Sequence, residues 1–286
     1  IMRDAGFPAG LFPNLMIEND AVKAVIEDPR IAAVTITGSE RAGRSVAAIA
    51  GGALKPIVLE LGGSDPFIVL ADADVALAAT TAATARTMNT GQSCICAKRF
   101  IVEDPVYAAF VAQLTEAMRG IRAGDPVDPA TKIGPMARRD LRDGLHVQVT
   151  EAIVHGARCV LGGTIPSGSG CFYPATMLVD VIPGNPAASE EMFGPVAVVM
   201  RARDAEHALH LANATRFGLG ASLWSRDLDR AQLFAARLDA GGVFINGQVK
   251  SDARLPFGGV KASGFGRELG LEGIRAFVNA KTVWIR

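Results

Sequence analysis

The stretch AAVTITGSERAGRSVAAIAGGALKPIVLEL, residues 32–61, decides the fold class. An apolar, β-branched run ends at Ser39, a helical pattern follows over residues 40–53, and a second apolar run covers residues 56–61. The apolar runs are continuous rather than alternating, which is typical of strands in a parallel sheet that is covered on both faces. We therefore predict a strand, a helix and a second, parallel strand joined by a right-handed crossover.

The same alternation of short apolar runs and longer helical patterns continues along the chain. Further strands are predicted over residues 14–18, 99–103, 195–202, 219–225 and 241–247. Further helices are predicted over residues 20–28, 74–88, 105–121, 138–157, 204–215 and 227–240. Repeated strand and helix units predict an α/β fold.

Composition narrows the classes of partner. The chain has 286 residues, 49% of them apolar, which is enough to bury a large core. Lys plus Arg and Asp plus Glu number 29 each, so no charge surplus favours nucleic acid or an anionic membrane. No apolar run reaches the roughly 18 to 20 residues of a bilayer span. The balanced charge therefore favours a small neutral partner over nucleic acid or a membrane. Four cysteines and no signal-peptide pattern lead us to expect a reducing, cytoplasmic location.

Two of the cysteines, Cys94 and Cys96, lie in NTGQSCICAKRF, residues 89–100, where a helix is predicted to end and a strand to begin. No second pair of Cys or His is spaced to complete a metal site, and His207 and His210 lack a third ligand, so no metal is predicted. From the residues alone, a catalytic thiol and an ordinary buried thiol remain open alternatives. A catalytic Cys94 is expected to react rapidly with iodoacetamide at neutral pH.

Four motifs carry a resemblance to a known family. They are LELGGSDPFIV (59–69), NTGQSCICAKRF (89–100), EEMFGPV (190–196) and PFGGVKASGFGREL (256–269). In this order they resemble the aldehyde dehydrogenase superfamily over essentially the whole chain. The C-x-C at residues 94–96 makes the succinate-semialdehyde dehydrogenase branch the most similar. The resemblance implies an α/β protein in which part of a Rossmann-like nucleotide-binding sheet precedes a catalytic domain with a parallel sheet.

The resemblance also implies roles for single residues. Cys94 matches the nucleophile, Glu60 the general base that activates the hydrolytic water, and Glu268 a second glutamate on the proton path. The implied reaction is the oxidation of an aldehyde to an acid by NAD or NADP through a cysteine thioester. Because Glu60 ends an apolar strand, we expect desolvation to raise the pKa of its carboxyl. The base argues against release of the thioester to coenzyme A.

The cofactor contacts follow from the same motifs. Glu191 matches the residue that binds the nicotinamide ribose, and Phe193 the one that packs near the nicotinamide. The remaining positions are Gly38, Ser39 and Gly43 in the turn at the pyrophosphate and Leu61 and Gly62 beside the nicotinamide. The start of a helix at Ser39 offers free N–H groups and a positive dipole end to a phosphate.

The motifs constrain the identity of the substrate less than that of the reaction. In the succinate-semialdehyde branch an arginine and a serine hold the substrate carboxylate. Ser251 lies in the matching loop, but Met88 occupies the position of the arginine, and Arg86 would have to approach from another direction. Succinate semialdehyde is the first prediction, and an uncharged aldehyde is the alternative.

The spacing of Cys94 and Cys96 permits a strained, reducible disulfide that would inactivate the enzyme under oxidation. Thiol-reversible inactivation by peroxide that persists in a Cys96→Ala variant would exclude this bond.

The division of the chain follows the resemblance. We expect residues 1–61 to be the C-terminal part of the NAD(P)-binding domain, 62–262 the catalytic domain, and 263–286 a helix and an oligomerisation strand. The family segments with the oxyanion-hole asparagine and an adenosine-ribose lysine normally precede Ile1. We therefore expect a fragment with little activity alone, or else an inactive remnant that acts through association. In the family a strand at the position of residues 280–286 pairs with a neighbouring subunit, so the resemblance implies a homodimer or homotetramer; a strand that completes the sheet of its own chain is the alternative.

Overall fold

The computed structural model describes all residues, 1–286, as an α/β fold with two largely parallel sheets. The strands are β1 (Val34–Thr37), β2 (Ile57–Glu60), β3 (Asp65–Val69), β4 (Ala97–Glu103), β5 (Arg158–Leu161), β6 (Thr176–Val179), β7 (Val196–Ala202), β8 (Gly220–Trp224) and β9 (Gly242–Ile245). The helices are α1 (Val22–Glu27), α2 (Glu40–Gly52), α3 (Val75–Thr87), α4 (Asp104–Arg119), α5 (Arg139–Val154), α6 (Pro186–Ser189), α7 (Ala205–Asn213), α8 (Leu228–Ala235) and α9 (Gly270–Arg275). None of the helices combines the length and the apolar character that crossing a bilayer requires.

The predicted strand, helix and strand over residues 32–61 are confirmed as β1, α2 and β2. The strands pair in parallel, with Val34 opposite Ile57. Ser39 caps α2, because its hydroxyl accepts the N–H of Ala42 at 3.3 Å. A side chain at Gly43 would overlap Leu61, so the helix lies directly on the end of β2.

The predicted strand over residues 14–18 is wrong. The segment is irregular, and Leu15, Met16 and Ile17 are all exposed. The residues of β1 alternate between half-buried and exposed, so the double coverage expected from its apolar sequence is not found. Residues 14–18 form no strand because a strand needs a hydrogen-bonded neighbour, and β1 pairs within this chain only with β2.

The second sheet has the strand order β5-β6-β7-β4-β3-β8-β9, and only the β5–β6 pair is antiparallel. The strands β3 and β4 at its centre are buried along their whole length. On one face Phe67, Phe100 and Trp224 pack with α3 and α4, and α5, α7 and α8 contribute to the core on the other face. Strands β3, β5 and β6 were absent from the periodicity prediction, while the other predicted elements are confirmed within a few residues.

A C-terminal segment connects the two sheets. The N–H groups of Leu59 and Leu61 donate to the carbonyls of Phe265 and Ser263 at 2.9 and 3.0 Å, so residues 263–265 run beside β2. The hydroxyl of Ser263 donates to the carbonyl of Gly62 at 2.7 Å. This segment carries Glu268 towards the end of β2, where Glu60 lies.

The alternating segment at residues 280–286 pairs with no strand of this chain, and Trp284 is 84% exposed. Its pairing with a neighbouring subunit stays a prediction.

Gly264 is the glycine on which the contact between the C-terminal segment and β2 depends. Its φ is +112°, and a side chain would overlap the carbonyl of Leu59. We expect Gly264→Ala to lower the free energy of unfolding by at least about 2 kcal/mol, because of the backbone strain and the overlap. The measurement is chemical denaturation followed by circular dichroism.

The same substitution at Gly144 is the control. Gly144 lies in the exposed interior of α5 with open space around it, so Gly144→Ala should stabilise the helix by up to about 1 kcal/mol. Equal effects of the two substitutions would contradict the role assigned to Gly264.

Candidate active site

The candidate site lies where the end of β2, the turn before β4 and the loop after α6 meet. Gly62 and Gly63 follow β2 after a single intervening residue, Leu61. A side chain at Gly62 would overlap the Glu191 carboxylate, and one at Gly63 would come within 2.8 Å of the Cys94 carbonyl oxygen. The two glycines therefore allow the backbone of the Cys94 turn and the side chain of Glu191 to approach the chain after β2, as glycine does at sites of close contact.

The turn that carries Cys94 has an unusual backbone. Asn89, Thr90 and Gly91 have φ values of 50°, 57° and 72°, so three successive residues are left-handed shortly after the end of α3. A side chain at Gly91 would overlap the backbone of Gly194 in the loop after α6. Left-handed conformations at non-glycine residues are strained and persist where surrounding contacts hold them, which is common at functional sites.

Cys94 is a half-buried free thiol. Burial raises the pKa of Cys94 above its ordinary value, the charge of Lys98 lowers it, and the carboxylates of Asp65 and Glu191 raise it. A raised pKa disfavours the thiolate, and rapid reaction of Cys94 with iodoacetamide stays a prediction. The sequence of the turn does not reveal the burial of the Cys94 side chain.

Glu60 is the last residue of β2 and is only 3% exposed. Neither of its carboxyl oxygens has a hydrogen-bond partner. The pKa of Glu60 is raised to about 7, chiefly by burial and also by the charge of Glu268, while the charge of Arg267 opposes the rise. The rise expected from desolvation is therefore found.

The carboxyl of Glu60 is turned towards the C-terminal segment. A side chain at Gly258 would lie 2.8 Å from its Oε1, and Glu268 is the charged group that perturbs it most. No hydrogen bond joins Glu60 and Cys94 in this structure. The structure thus brings Glu60 and Glu268 together. Cys94 lies against the chain that continues from Glu60, because its carbonyl oxygen is close to Gly63.

Glu191 lies between the end of β2 and the nucleophile turn. Its Oε1 accepts the N–H of Gly63 at 3.0 Å and lies 3.5 Å from the ammonium of Lys98. Gln148 donates to the backbone carbonyl of Glu191 at 3.3 Å and to the carboxylate of Glu190 at 2.9 Å. Glu191 is consequently held from three sides while its side chain stays 21% exposed.

An open cleft of about 560 Å³ lies beside Glu191 and is lined also by Ser39, Arg41, Gly62 and Arg216. A second cleft of about 560 Å³ shares Ser39 and Arg41 with the first. Its remaining lining includes Lys23, Ile36, Val46 and Ile49.

The predicted cofactor residues are distributed around these clefts. Ser39, Gly62 and Glu191 line the first cleft, and Gly43 packs against Leu61 behind it. Gly38 donates its N–H to the carbonyl of Glu60 at 3.0 Å, and Phe193 is 37% exposed in the loop after α6.

The chemistry of these clefts fits a dinucleotide. The start of the 13-residue α2 supplies N–H groups and a positive dipole end for a pyrophosphate, and Arg41 adds a cation. Apolar side chains in the second cleft suit an adenine ring, and the Glu191 carboxylate suits ribose hydroxyls.

The predicted substrate residues are less well placed. Ser251 is exposed in a loop beside a cleft of about 280 Å³, which is lined by its neighbours Lys250 and Asp252 but not by Ser251. Arg86 is completely buried, and its Nη2 donates to the carbonyl of Gly91 at 2.6 Å. The alternative approach of Arg86 to a substrate is therefore wrong, because the guanidinium faces inward and supports the turn that carries Cys94.

The second cysteine of the turn, Cys96, is fully buried, and its thiol donates to the carbonyl of Met88 at 3.4 Å. Both Cys94 and Cys96 are free thiols, and the disulfide between them stays a prediction that requires Cys96 to leave this position. No group of three or more His, Cys, Asp or Glu residues is arranged to hold a metal ion.

Two charged residues next to the site were missed by the sequence analysis. Lys98 and Asp65 lie in the buried strands β4 and β3, and both are close enough to affect the pKa of Cys94. The available signal was the presence of charged residues in strands that are otherwise apolar, because buried charges need partners.

Comparison with known proteins adds independent information. Residues 1–283 match the model of the Aldehyde dehydrogenase family. The chain is 54% identical over 284 residues to succinate semialdehyde dehydrogenase [NAD(P)+] Sad of Escherichia coli, covering 99% of this chain and 62% of that protein. It is 52% identical over 285 residues to succinate-semialdehyde dehydrogenase [NADP(+)] of Mycolicibacterium paratuberculosis, covering 60% of that protein. The chain thus spans about three fifths of the length of these curated relatives.

Solved structures give the same result. A succinic semialdehyde dehydrogenase from Streptococcus pyogenes, in complex with NADP+, superposes with a TM-score of 0.96 at 39% identity over 99% of this chain and 62% of that chain. Lactaldehyde dehydrogenase from Escherichia coli gives a TM-score of 0.89 at 32% identity over 92% of this chain and 55% of that chain. From the family match over almost its whole length and from these likenesses, the chain belongs to the aldehyde dehydrogenase family.

Proposed function

We propose that the protein that carries this chain oxidises an aldehyde to a carboxylic acid with NAD or NADP, using Cys94 as the nucleophile and Glu60 as the base. The observation that carries the proposal is that the glycine pair after β2 links a desolvated carboxyl, a half-buried thiol and the edge of a dinucleotide-sized cleft. The relatives named as succinate-semialdehyde dehydrogenases support the reaction class.

Cofactor binding is assigned to the clefts beside α2. Ser39 and the start of α2 bind the pyrophosphate, Glu191 accepts hydrogen bonds from the nicotinamide ribose, and Phe193 packs near the nicotinamide. The bound nicotinamide supplies an acceptor for the hydride of the substrate.

Cys94 carries the covalent chemistry. Its thiolate adds to the carbonyl carbon of the aldehyde, and loss of hydride from the resulting thiohemiacetal leaves a thioester on Cys94. Water then hydrolyses the thioester, which releases the acid and regenerates the thiol. Glu60 takes the proton of the attacking water, a role for which a pKa of about 7 is well matched. Glu268 is placed to pass that proton outwards, because its side chain lies closer to solvent than that of Glu60.

Succinate semialdehyde is the proposed substrate. The names of the E. coli and mycobacterial relatives support it, and Ser251 lies on a loop where it and the exposed Lys250 can meet a carboxylate. An uncharged aldehyde is the second candidate. The half-buried Met88 and the inward-facing Arg86 favour it, because neither offers a charge to a substrate.

The first test separates the roles of Cys94 and Glu60. Cys94→Ala should lower aldehyde-dependent reduction of NAD(P) by on the order of 10³-fold or more. Glu60→Gln should still form one equivalent of reduced cofactor rapidly, while turnover falls roughly 10²- to 10⁴-fold for want of a base. The measurement is stopped-flow absorbance on this chain joined to the part of the E. coli relative outside the match.

Cys171→Ala is the matched control, because Cys171 lies in a distant loop and should be replaceable without loss of rate. If the unsubstituted protein shows no aldehyde-dependent reduction of NAD(P), the alternative is favoured, in which the chain is an inactive remnant that acts through association.

The second test uses the pKa of Glu60. The rate of thioester hydrolysis should rise with pH as Glu60 loses its proton, with a midpoint near pH 7. Glu268→Gln removes a negative charge that stabilises the protonated form of Glu60, so the midpoint should move to lower pH. The exposed Glu272 of α9 does not perturb Glu60, and Glu272→Gln should leave the midpoint unchanged. A midpoint unaffected by Glu268→Gln would count against the pairing of the two glutamates.

The third test addresses the substrate. Succinate semialdehyde should have a kcat/KM roughly 10- to 100-fold above that of butanal, as expected for hydrogen bonds to a charged group. Ser251→Ala should reduce this ratio, whereas Ser167→Ala, in another exposed loop, should not. Equal kcat/KM values for the two aldehydes in the unsubstituted protein would establish the uncharged aldehyde as the better reading.

A further inference from the structure

Lys98 is a fully buried lysine directly behind the proposed nucleophile. Its Nζ donates to the backbone carbonyls of Ser93, Cys94 and Cys96 at 3.1, 2.9 and 3.2 Å. These three acceptors match the three N–H bonds of an ammonium, whereas a neutral amine has only two. The amine also lies 3.5 Å from the carboxylate of Glu191. The hydrogen-bond pattern therefore indicates a charged side chain, although burial lowers the pKa of Lys98.

We propose that Lys98 is a positioning residue for Cys94: its ammonium fixes the turn of residues 93–96 from the interior and offsets the negative charges beside the thiol. The inference deepens the proposed function and rests on it in one respect, the identity of Cys94 as the nucleophile. Lys98 touches neither the substrate nor the cofactor cleft, and it acts through the backbone of the turn and through electrostatics.

The charges around Cys94 come from several elements. Asp65 on β3 and Glu191 in the loop after α6 oppose the thiolate, and Lys98 on β4 favours it. Arg86 on α3 faces Lys98 from the same interior, and Glu60 at the end of β2 does not perturb the thiol. Lys98 is thus the one side-chain cation that acts on Cys94 against desolvation and two carboxylates.

Asp65 is a second buried group whose charge depends on Lys98. Its Oδ1 accepts the N–H of Gly220 at 3.1 Å, and its Oδ2 has no partner. Burial raises the pKa of Asp65 to about 7, and Lys98 is the largest opposing influence. A buried carboxyl with one free oxygen tolerates its charge only near a cation.

Arg99 supplies a matched control on the same strand. It is also buried, and its guanidinium donates to the carbonyls of Ser64, Leu211 and Ala212 at 3.0, 2.7 and 2.9 Å. Arg99 therefore resembles Lys98 in burial and in the number of carbonyl contacts, but none of its contacts belongs to the nucleophile turn.

The experiment measures the pH dependence of alkylation of Cys94 by iodoacetamide in the 286-residue chain, with the Cys94 peptide quantified by mass spectrometry. Lys98→Met should raise the midpoint, so that alkylation at neutral pH slows roughly tenfold for a shift of one pKa unit. Arg99→Met should destabilise the fold but leave the midpoint of alkylation unchanged. Asp65→Asn removes a charge of the opposite sign and should lower the midpoint.

The outcomes are distinct. A folded Lys98→Met variant with an unshifted midpoint overturns the proposal, as does a shift of equal size in Arg99→Met. Lys98→Gln keeps N–H donors without the charge, and it replaces Lys98→Met if that variant does not fold. If neither Lys98 variant folds, Asp65→Asn decides, since an unshifted or raised midpoint there removes the electrostatic basis.

The readout is also independent of turnover. Alkylation needs neither an aldehyde nor a cofactor, so the effect of Lys98 on the thiol can be established even if aldehyde oxidation is not found. Conversely, aldehyde oxidation that proceeds through Cys94 without any effect of Lys98→Met on the thiol would leave the proposed function intact and refute this inference.

Discussion

The close backbone approach at Gly62 and Gly63 is the constraint on which the site depends. Both residues lack a side chain where any Cβ would press against Glu191 or the carbonyl of Cys94. This approach lets the end of a strand in one sheet lie against a turn that belongs to the other sheet. Cys94, Glu191 and Glu60 are therefore placed by three segments that are far apart in sequence and meet at this glycine pair.

Much of the fold was predictable because its signals are local. The runs that became β1, β2, β4 and β7–β9 are apolar and bounded by turns, and most of the helices carry caps or amphipathic patterns. The strand at residues 14–18 failed for a non-local reason: an apolar run becomes a strand only if another strand pairs with it. Strand β3 was missed because Pro66 and its glycine-rich approach disguise a segment that is buried throughout.

The candidate site was predictable to a different extent. Motif resemblance indicated Cys94, Glu60 and Glu191, and the structure brings all three to the same region. It could not indicate where the charged side chains of the interior point. The sequence left open an approach of Arg86 to a substrate, yet its guanidinium donates to the carbonyl of Gly91. Lys98 belongs to no motif position with a known role, although it donates to three carbonyls of residues 93–96.

Burial has opposite consequences for the two reactive groups. Desolvation raises the pKa of both Glu60 and Cys94. For a carboxyl with an ordinary pKa of 4.5, a rise to about 7 strengthens its pull on a proton and still leaves much of it ionised near neutral pH. For a thiol, whose ordinary pKa already lies well above 7, a rise only depletes the thiolate. A site that buries both groups thus needs a cation near the sulfur, and Lys98 supplies it, whereas at Glu60 the charge of Arg267 opposes the rise without cancelling it.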